Sequence, residues 1–153
     1  MTIEDKLHAL GLVLPDPPEP IAAYLPALRV GNLLLVSGQL PLRDGRLIAT
    51  GPVESIDAGQ AAARQCVLNG LAIVKRELGG DWSKMERVVR LVVYVQSRDG
   101  FADQAQVANG ASELLVELFG ESGRHVRAAV GVNALPMNAM VEAELFVAVR
   151  PGA

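Results

Sequence analysis

The order of strand-like and helix-like segments constrains the fold of this chain more than any other feature. Residues 27–30 and 33–37 are apolar segments on either side of a Gly-Asn turn, and they predict a β-hairpin. Residues 85–97 are crowded with β-branched side chains and predict the strongest strand. Residues 125–149 predict two more strands joined by a Pro/Asn turn, whereas residues 47–49 fit either a short strand or an extended loop.

Two longer segments carry the spacing of apolar side chains that is typical of amphipathic helices, residues 58–78 and 101–119. Asp57 begins a pattern similar to a capping box before the first helix, and Asp99 is a candidate N-cap for the second. A short helix that ends near Leu10 is expected at the N-terminus.

The predicted order is therefore β-β-(β)-α-β-α-β-β after a helical preface, which disfavours an all-β or an all-helical fold. The order predicts an α+β fold, a mixed β-sheet with two helices packed on one face. The other face of that sheet then has no helical cover. Because its apolar side chains need to be buried, the pattern also predicts a symmetric oligomer.

The composition limits the size of the fold and its partners. The chain has 153 residues, of which half are hydrophobic, and this length predicts one domain. A net charge of −3 and scattered arginines predict no nucleic acid partner. The chain has neither the long apolar stretch of a membrane span nor the N-terminal pattern of a secretory signal. Cys66 is the only cysteine, so a reduced, cytoplasmic location is expected.

The motifs of several enzyme classes are missing from the sequence. It contains no P-loop, dinucleotide fingerprint, GxSxG or HExxH motif. His8 and His125 lie far apart and outside any metal-ligand spacing, so neither a metal nor a cofactor is expected. His8 is interpreted as a solvated residue, and Cys66 as a packing residue. His125 is interpreted as a residue at a strand edge, with substrate contact as the less favoured alternative.

Arg127 points most directly to a binding site. Strand alternation places it on one face with Ala129 and Gly131, whose small size would leave space beside a permanent positive charge. A guanidinium on a rigid strand is suited to bidentate binding of a carboxylate. The structural alternative is a salt bridge to Glu142 or Glu144, and the spacing leaves both interpretations open.

Other polar residues lie at strand ends and within a predicted helix. Ser37 and Gly38 follow the second strand and fit either a plain turn or a close approach of the backbone to a ligand. Tyr24 precedes the first strand and fits a packing role at an interface. Asn109 and Gly110 both weaken the second helix, so a local packing or side-chain contact is expected there.

Three segments, YLPALRVGNLLLVSGQLPL (residues 24–42), NGASELL (109–115) and VRAAVGVNALPMNAMVEAE (126–144), together resemble the Rid/YjgF family of enamine/imine deaminases, also described as endoribonuclease L-PSP-like. The likeness runs from about residue 20, so residues 1–19 are an N-terminal extension of one domain, 1–153. The resemblance implies a chorismate-mutase-like fold and a homotrimer whose sheets line a central barrel. The sites would lie in the clefts between subunits.

The resemblance also implies roles for individual residues. Arg127 matches the arginine that binds the substrate carboxylate, and Glu142 matches the glutamate that positions water. The substrate-binding positions match five further residues: Tyr24, Ser37, Gly38, Asn109 and Ala129. Many deaminases of the family have a cysteine where this chain has Ala129.

Three hypotheses for the function follow. The first is hydrolytic deamination of 2-imino or enamine acids to 2-keto acids and ammonia, without a metal or organic cofactor. The second is a trimer that binds small carboxylates such as 2-keto acids through Arg127 and performs no chemistry at Glu142. The third is an endoribonuclease or chaperone-like role, which the acidic charge balance disfavours. Accelerated imine loss favours the first hypothesis, and affinity without turnover favours the second.

Overall fold

The computed structural model describes residues 1–17 and 22–153, so residues 18 and 19 of the expected N-terminal extension lie outside it. Within these ranges the helices are α1 (Ile3–Ala9), α2 (Ile56–Glu77) and α3 (Gln104–Phe119). The strands are β1 (Ala27–Val30), β2 (Leu33–Gln39), β3 (Leu42–Arg43), β4 (Arg46–Leu47), β5 (Met85–Gln96), β6 (Val126–Val132) and β7 (Val141–Val149). Three single-turn 3-10 helices span Trp82–Lys84, Gly120–Gly123 and Pro136–Asn138. The predicted α+β class with a mixed sheet is confirmed.

The main sheet has five strands in the order β1-β2-β7-β5-β6. The predicted β1-β2 hairpin is confirmed, and β5 and β6 form the only parallel pair within this sheet. Our prediction of β6 and β7 as two strands joined by a turn missed that β5 lies between them. The connection crosses the end of β5, where the backbone N–H groups of Gln96 and Ser97 donate to the carbonyls of Met140 and Val132. These hydrogen bonds secure the crossing to the strand that it passes.

The helix starts differ from their predicted positions for local reasons. The hydroxyl of Ser55, and not Asp57, caps α2, because it accepts a hydrogen bond from the N–H of Ala58 at 3.3 Å. Asp99 does not cap α3, which begins at Gln104. Gly100 adopts a left-handed φ of 83°, and this conformation interrupts a helical path before residue 104. The small β3-β4 hairpin ends at Leu47, so residues 48 and 49 lie outside it.

Helices α2 and α3 cover one face of the main sheet. The buried core between the layers includes alternate residues of β5 and β7, namely Leu91, Val93, Val95, Val141, Ala143, Leu145 and Val147. Helix α2 contacts both α3 and β7, and its central residues, from Cys66 to Val74, are all buried. Helix α1 packs against α3 in the outer layer. The predicted packing of two helices on one face is therefore confirmed.

The opposite side of the sheet, called here the open face, carries apolar side chains without a helical cover. One row across all five strands follows from the register and consists of Leu28, Leu35, Phe146, Arg90 and Val126. The two ends of this row are 53% and 62% exposed. The expected uncovered face is therefore present, and it remains available for a second protein chain.

Among the described helices, none combines the length and the hydropathy needed to cross a bilayer.

Candidate functional site

Arg127 lies on the helix-covered side of β6, the strand at one edge of the sheet. It pairs in register with the buried Leu91 of β5, and its guanidinium points towards α3. Nη1 donates to Asn109 Oδ1 at 2.8 Å and to Ser112 Oγ at 3.1 Å, and Nη2 donates to the carbonyl of Ala105 at 3.4 Å. These four residues are called the Arg127 cluster below.

The three oxygen atoms that accept hydrogen bonds from Arg127 all lie on one side of α3. Residues 105, 109 and 112 are spaced by four and three positions, which places them on the same side of α3 over two turns. All three acceptors are uncharged. The guanidinium is thus fixed in place by neutral oxygens, and its charge stays available to an anion.

No carboxylate of residues 1–17 or 22–153 forms an ion pair with Arg127. The alternative of a salt bridge to Glu142 or Glu144 is wrong within the chain. Both carboxylates lie on β7, which β5 separates from β6, and both point to the open face. A layer of backbone therefore separates these carboxylates from Arg127.

Asn109 and Gly110, two residues that weaken a helix, each make a local contact in α3, as expected. Asn109 contributes the shortest hydrogen bond to Arg127. Gly110 lets α3 approach α2 closely, because a Cβ atom there would lie 2.4 Å from the carbonyl oxygen of Gln60. The glycine permits the helix contact, and the asparagine beside it reaches the sheet.

The open space that we predicted above Ala129 and Gly131 is occupied by other side chains next to Gly131. A Cβ atom on Gly131 would lie 2.7 Å from Nε2 of Gln104, whose amide donates to the carbonyl of Phe101 at 2.8 Å. The first residue of α3 therefore occupies the space that we expected to be open. Ala129 is partly buried against the core on the same side of β6 as Arg127.

A second group of predicted site residues lines a cavity of about 670 Å³ on the open face. Tyr24, Ser37, Gly38 and Glu142 all contribute to its wall. The remaining lining residues are Ala22, Leu40, Tyr94, Pro136 and Glu144. This cavity is called the Glu142 pocket below.

The backbone conformation at the end of β2 brings Ser37 and Gly38 to the pocket. The register between β2 and β7 shifts between Val36 and Gln39, as at a β-bulge. A Cβ atom on Gly38 would lie 3.0 Å from Cδ of Glu142, so the glycine leaves room for that carboxylate above the backbone. Ser37 is fixed by donation from its hydroxyl to the carbonyl of Leu25 at 2.6 Å. Gly38 thus permits the close approach of a side chain of the protein, and the approach of its backbone to a ligand stays a prediction.

Burial and a neighbouring negative charge act together on Glu142. Partial burial raises the pKa of its carboxyl group, and the charge of Glu144 on the same face raises that pKa further. The Tyr94 hydroxyl donates to Glu144 Oε1 at 2.9 Å, and this contact raises the pKa of the tyrosine. Glu142 therefore holds a proton at a higher pH than an exposed glutamate does, as suits a group that exchanges protons with a ligand.

The structure brings the predicted residues together in two groups on opposite faces of one sheet. Arg127, Asn109 and Ala129 lie on the helix-covered side. The pocket group, Tyr24, Ser37, Gly38 and Glu142, lies on the open face. A single chain thus presents two half-sites that no small ligand can contact together through the sheet.

Sequence reasoning missed Ser112 beside Arg127, and it named His125 without its contact to that serine. Ser112 lies one helical turn after Asn109, and that spacing would have identified it as a second acceptor. His125 Nε2 lies 2.9 Å from Ser112 Oγ, and His125 Nδ1 lies 2.6 Å from the carbonyl oxygen of Gly123. Since His125 precedes β6 on the same side as Arg127, strand alternation alone indicated that they share a face. The pattern could not show the serine between them.

The other histidine and the cysteine lie outside the Arg127 cluster and the Glu142 pocket. His8 is exposed on α1, and Cys66 is buried in the core with its Sγ 3.6 Å from the carbonyl of Val141. Burial raises the pKa of the Cys66 thiol well above its ordinary value. Within residues 1–17 and 22–153, no three His, Cys, Asp or Glu side chains form a group suited to a metal ion.

Comparisons with known proteins identify the family of this chain. Residues 4–149 match the model of the family described as YjgF/chorismate mutase-like. Protein TCP17 of Trypanosoma cruzi is 43% identical over 93% of this chain and 91% of its own length. A 2-iminobutanoate/2-iminopropanoate deaminase of Dermatophagoides farinae is 31% identical over 89% of this chain and 93% of its own.

A solved structure adds the fold. The protein Atu1372 of Agrobacterium tumefaciens, described as of unknown function, is 44% identical and superposes with a TM-score of 0.89. The alignment covers 97% of this chain and 92% of that one. The family match, the relatives and the shared fold together establish that this chain belongs to the Rid/YjgF family.

Proposed function

We propose that the protein hydrolyses 2-imino acids, and their enamine tautomers, to 2-keto acids and ammonia. The observation that carries the proposal is the placement of Arg127, a permanent cation fixed only by neutral oxygens and without a carboxylate partner among the described residues. Such a group is suited to a substrate that carries a carboxylate next to the reacting carbon. The relative named as an iminobutanoate/iminopropanoate deaminase supports this class of substrate.

The Glu142 pocket provides groups for the other half of the reaction. Water adds to the C=N carbon, and the C–N bond of the resulting carbinolamine then breaks to release ammonia and leave the keto group. A carboxyl group with a raised pKa can accept a proton from the attacking water and return it to the departing nitrogen. Arg127 meanwhile holds the carboxylate and draws electrons from the adjacent carbon. These steps require no metal or organic cofactor.

The two half-sites meet, in this proposal, between neighbouring subunits of a homotrimer. The Glu142 pocket opens on the uncovered face, and the Arg127 cluster lies along the edge strand β6. Exposed apolar residues at both ends of the open face, among them Leu28, Val30 and Val126, favour self-association there. A head-to-tail arrangement would bring the β6 edge of one subunit beside the pocket of the next.

Mixing two inactive variants tests both the chemistry and the shared site. Arg127→Ala and Glu142→Gln should each lower kcat/KM at least about 100-fold for an imino acid generated in situ by an amino-acid oxidase. After the two variants are unfolded and refolded together in equal amounts, about one quarter of sites should contain both an intact Arg127 and an intact Glu142. Activity should therefore return to about a quarter of the wild-type value under random assembly.

The matched control is the same pair of variants refolded separately and mixed without subunit exchange, which should stay inactive. Inactivity of the co-refolded mixture would exclude a site shared between subunits. A wild-type protein that binds pyruvate, a simple 2-keto acid, but accelerates the loss of no imine would instead support the trimeric carboxylate-binding protein.

A further inference from the structure

We propose that His125 and Ser112 are positioning residues for Arg127, because together they orient the hydroxyl that accepts one of its hydrogen bonds. The inference rests on the proposed function, in which Arg127 binds the substrate carboxylate. It adds two residues of this chain that do not themselves touch the ligand. The three side chains lie in a row, with Ser112 Oγ 3.1 Å from Arg127 Nη1 and 2.9 Å from His125 Nε2.

The direction of each hydrogen bond follows from which atoms can donate. The carbonyl oxygen of Gly123 can only accept, so His125 Nδ1, at 2.6 Å from it, carries the hydrogen. In the neutral ring Nε2 is then an acceptor, and the Ser112 hydroxyl donates to it. The oxygen lone pairs of Ser112 are thereby left for Arg127, which can only donate.

Helix α3 and the 3-10 helix Gly120–Gly123 hold the two groups that contact His125. Ser112 belongs to α3, and Gly123 is packed against the same helix so tightly that a Cβ atom on it would lie 2.1 Å from the carbonyl oxygen of Leu115. The carbonyl that sets the histidine tautomer and the hydroxyl that contacts the ring therefore lie on two helical segments that pack directly against each other. The neutral row orients Arg127 without cancelling its charge.

Without the histidine, the serine hydroxyl can adopt other hydrogen-bond orientations. A serine inside a helix can donate to a backbone carbonyl of the preceding turn. Its hydroxyl hydrogen could also turn towards the guanidinium, where it would repel an N–H donor. The histidine acts by removing these alternatives, and Asn109 Oδ1 remains as the other partner of Nη1 in every variant of Ser112 or His125.

A double-mutant cycle tests whether His125 acts on Arg127 through Ser112, with pyruvate affinity and imine turnover as the measured quantities. Ser112→Ala should raise the pyruvate Kd and the KM for imino acid about tenfold, with kcat changed less than about twofold. His125→Ala should raise Kd about threefold in the wild-type background and should have no further effect on Ser112→Ala, since it acts only through the serine. Ser112→Thr, which keeps the hydroxyl, should restore most of the affinity.

Ser55→Ala is the control for stability. It removes the cap of α2 without removing any hydrogen bond of the Arg127 cluster, so it should lower Tm and leave Kd and KM unchanged. Additive effects of His125→Ala and Ser112→Ala would overturn the proposal, because they would show that the histidine acts independently of the serine. A fall in Tm without any change of Kd would overturn it as well.

A measurement on the arginine itself separates this inference from the proposed function. In protein labelled with 15N-arginine, the Nη1 hydrogens of Arg127 should give separate, slowly exchanging NMR signals in the wild type, and these signals should broaden in Ser112→Ala and His125→Ala. Broadening in a protein that neither binds pyruvate nor turns over imines would uphold the positioning role and reject the proposed function. Unchanged signals in both variants would reject the positioning role whatever the activity.

Discussion

The surroundings of Glu142 suit a group that exchanges protons, but they lower the stability of the folded protein when its carboxyl group is ionised. Burial and the charge of Glu144 raise the pKa of its carboxyl group above the ordinary value of 4.5. The folded protein therefore binds this proton more tightly than the unfolded chain does. Stability from this group is present below the unfolded pKa and is lost as the pH rises through the raised folded pKa.

Replacement of Glu142 by glutamine should consequently stabilise the protein while it abolishes turnover. The variant should have a higher Tm than the wild type at pH 7, where the wild-type carboxylate is charged and poorly solvated. The difference should shrink as the pH falls below about 4.5, the usual pKa of a glutamate. Thermal unfolding measured between pH 4 and pH 8 checks this expectation.

An exposed glutamate provides the comparison for that experiment. Glu54 is 70% exposed and pairs with Arg98 on the surface, so Glu54→Gln should give no gain in Tm at pH 7. A Glu142→Gln variant that is less stable than the wild type at pH 7 would show that the carboxylate makes favourable contacts, and the interpretation of its environment would then be wrong.

The sequence indicated many of the candidate residues but not their division into two groups. Alternation along β6 correctly placed Arg127, Ala129 and Gly131 on one face. Alternation cannot show which strand separates β6 from β7, and the insertion of β5 decides that Glu142 and Arg127 face opposite ways. Ser112 and its contact with His125 were missed, because that contact depends on how α3 lies against the sheet.

At the scale of elements, the contact between α2 and α3 determines where the oxygens beside Arg127 lie. Gly110→Ala should destabilise the protein by about 1–3 kcal/mol, because the added methyl would lie 2.4 Å from the backbone oxygen of Gln60. The helices must move apart to accommodate it, and Asn109 moves with them. Chemical denaturation measures the loss, and a raised pyruvate Kd would report the displaced asparagine.

Gly70→Ala is the matched control, since Gly70 also lies within a helix but a Cβ atom there would be 3.8 Å from its nearest neighbour. This change should be neutral or stabilising by up to about 1 kcal/mol, the helix propensity that alanine gains over glycine. Equal effects of the two substitutions would show that close packing is not the reason for Gly110.

Element types were predictable from the sequence, and their ends were less so. The apolar spacing identified both long helices, yet α3 begins three residues later than predicted because Gly100 interrupts the path. The cap of α2 was assigned to Asp57, although Ser55 performs it. Both residue types are good caps, so the choice between them depends on the chain path into the helix.

At the scale of the whole molecule, the open face is expected to be the surface of self-association. Leu28→Glu or Val130→Lys should each convert the assembly to monomers, because a charge would be buried at the interface without a partner. Analytical ultracentrifugation measures the change in mass, and turnover should fall with it. Val130 pairs in register with Tyr94, whose other neighbour is Glu142, so it lies in the same row as the pocket.

Val13→Lys provides a matched substitution away from that face. Val13 is 80% exposed in the N-terminal segment, and a charge there should leave the mass and the activity unchanged. A wild-type protein that sediments as a monomer at micromolar concentration, or a Val13→Lys variant that also dissociates, would contradict the assignment of the open face.

The position of β7 in the main sheet has a consequence for biosynthesis. Among the five strands it is the last to emerge from the ribosome, yet it joins β2 to β5 at the centre. Until residues 141–149 are made, the edges of β2 and β5 that β7 covers in the folded sheet stay unpaired. The two sheet fragments are therefore joined only once β7 has been made, and before that each exposes an edge of the kind that favours aggregation.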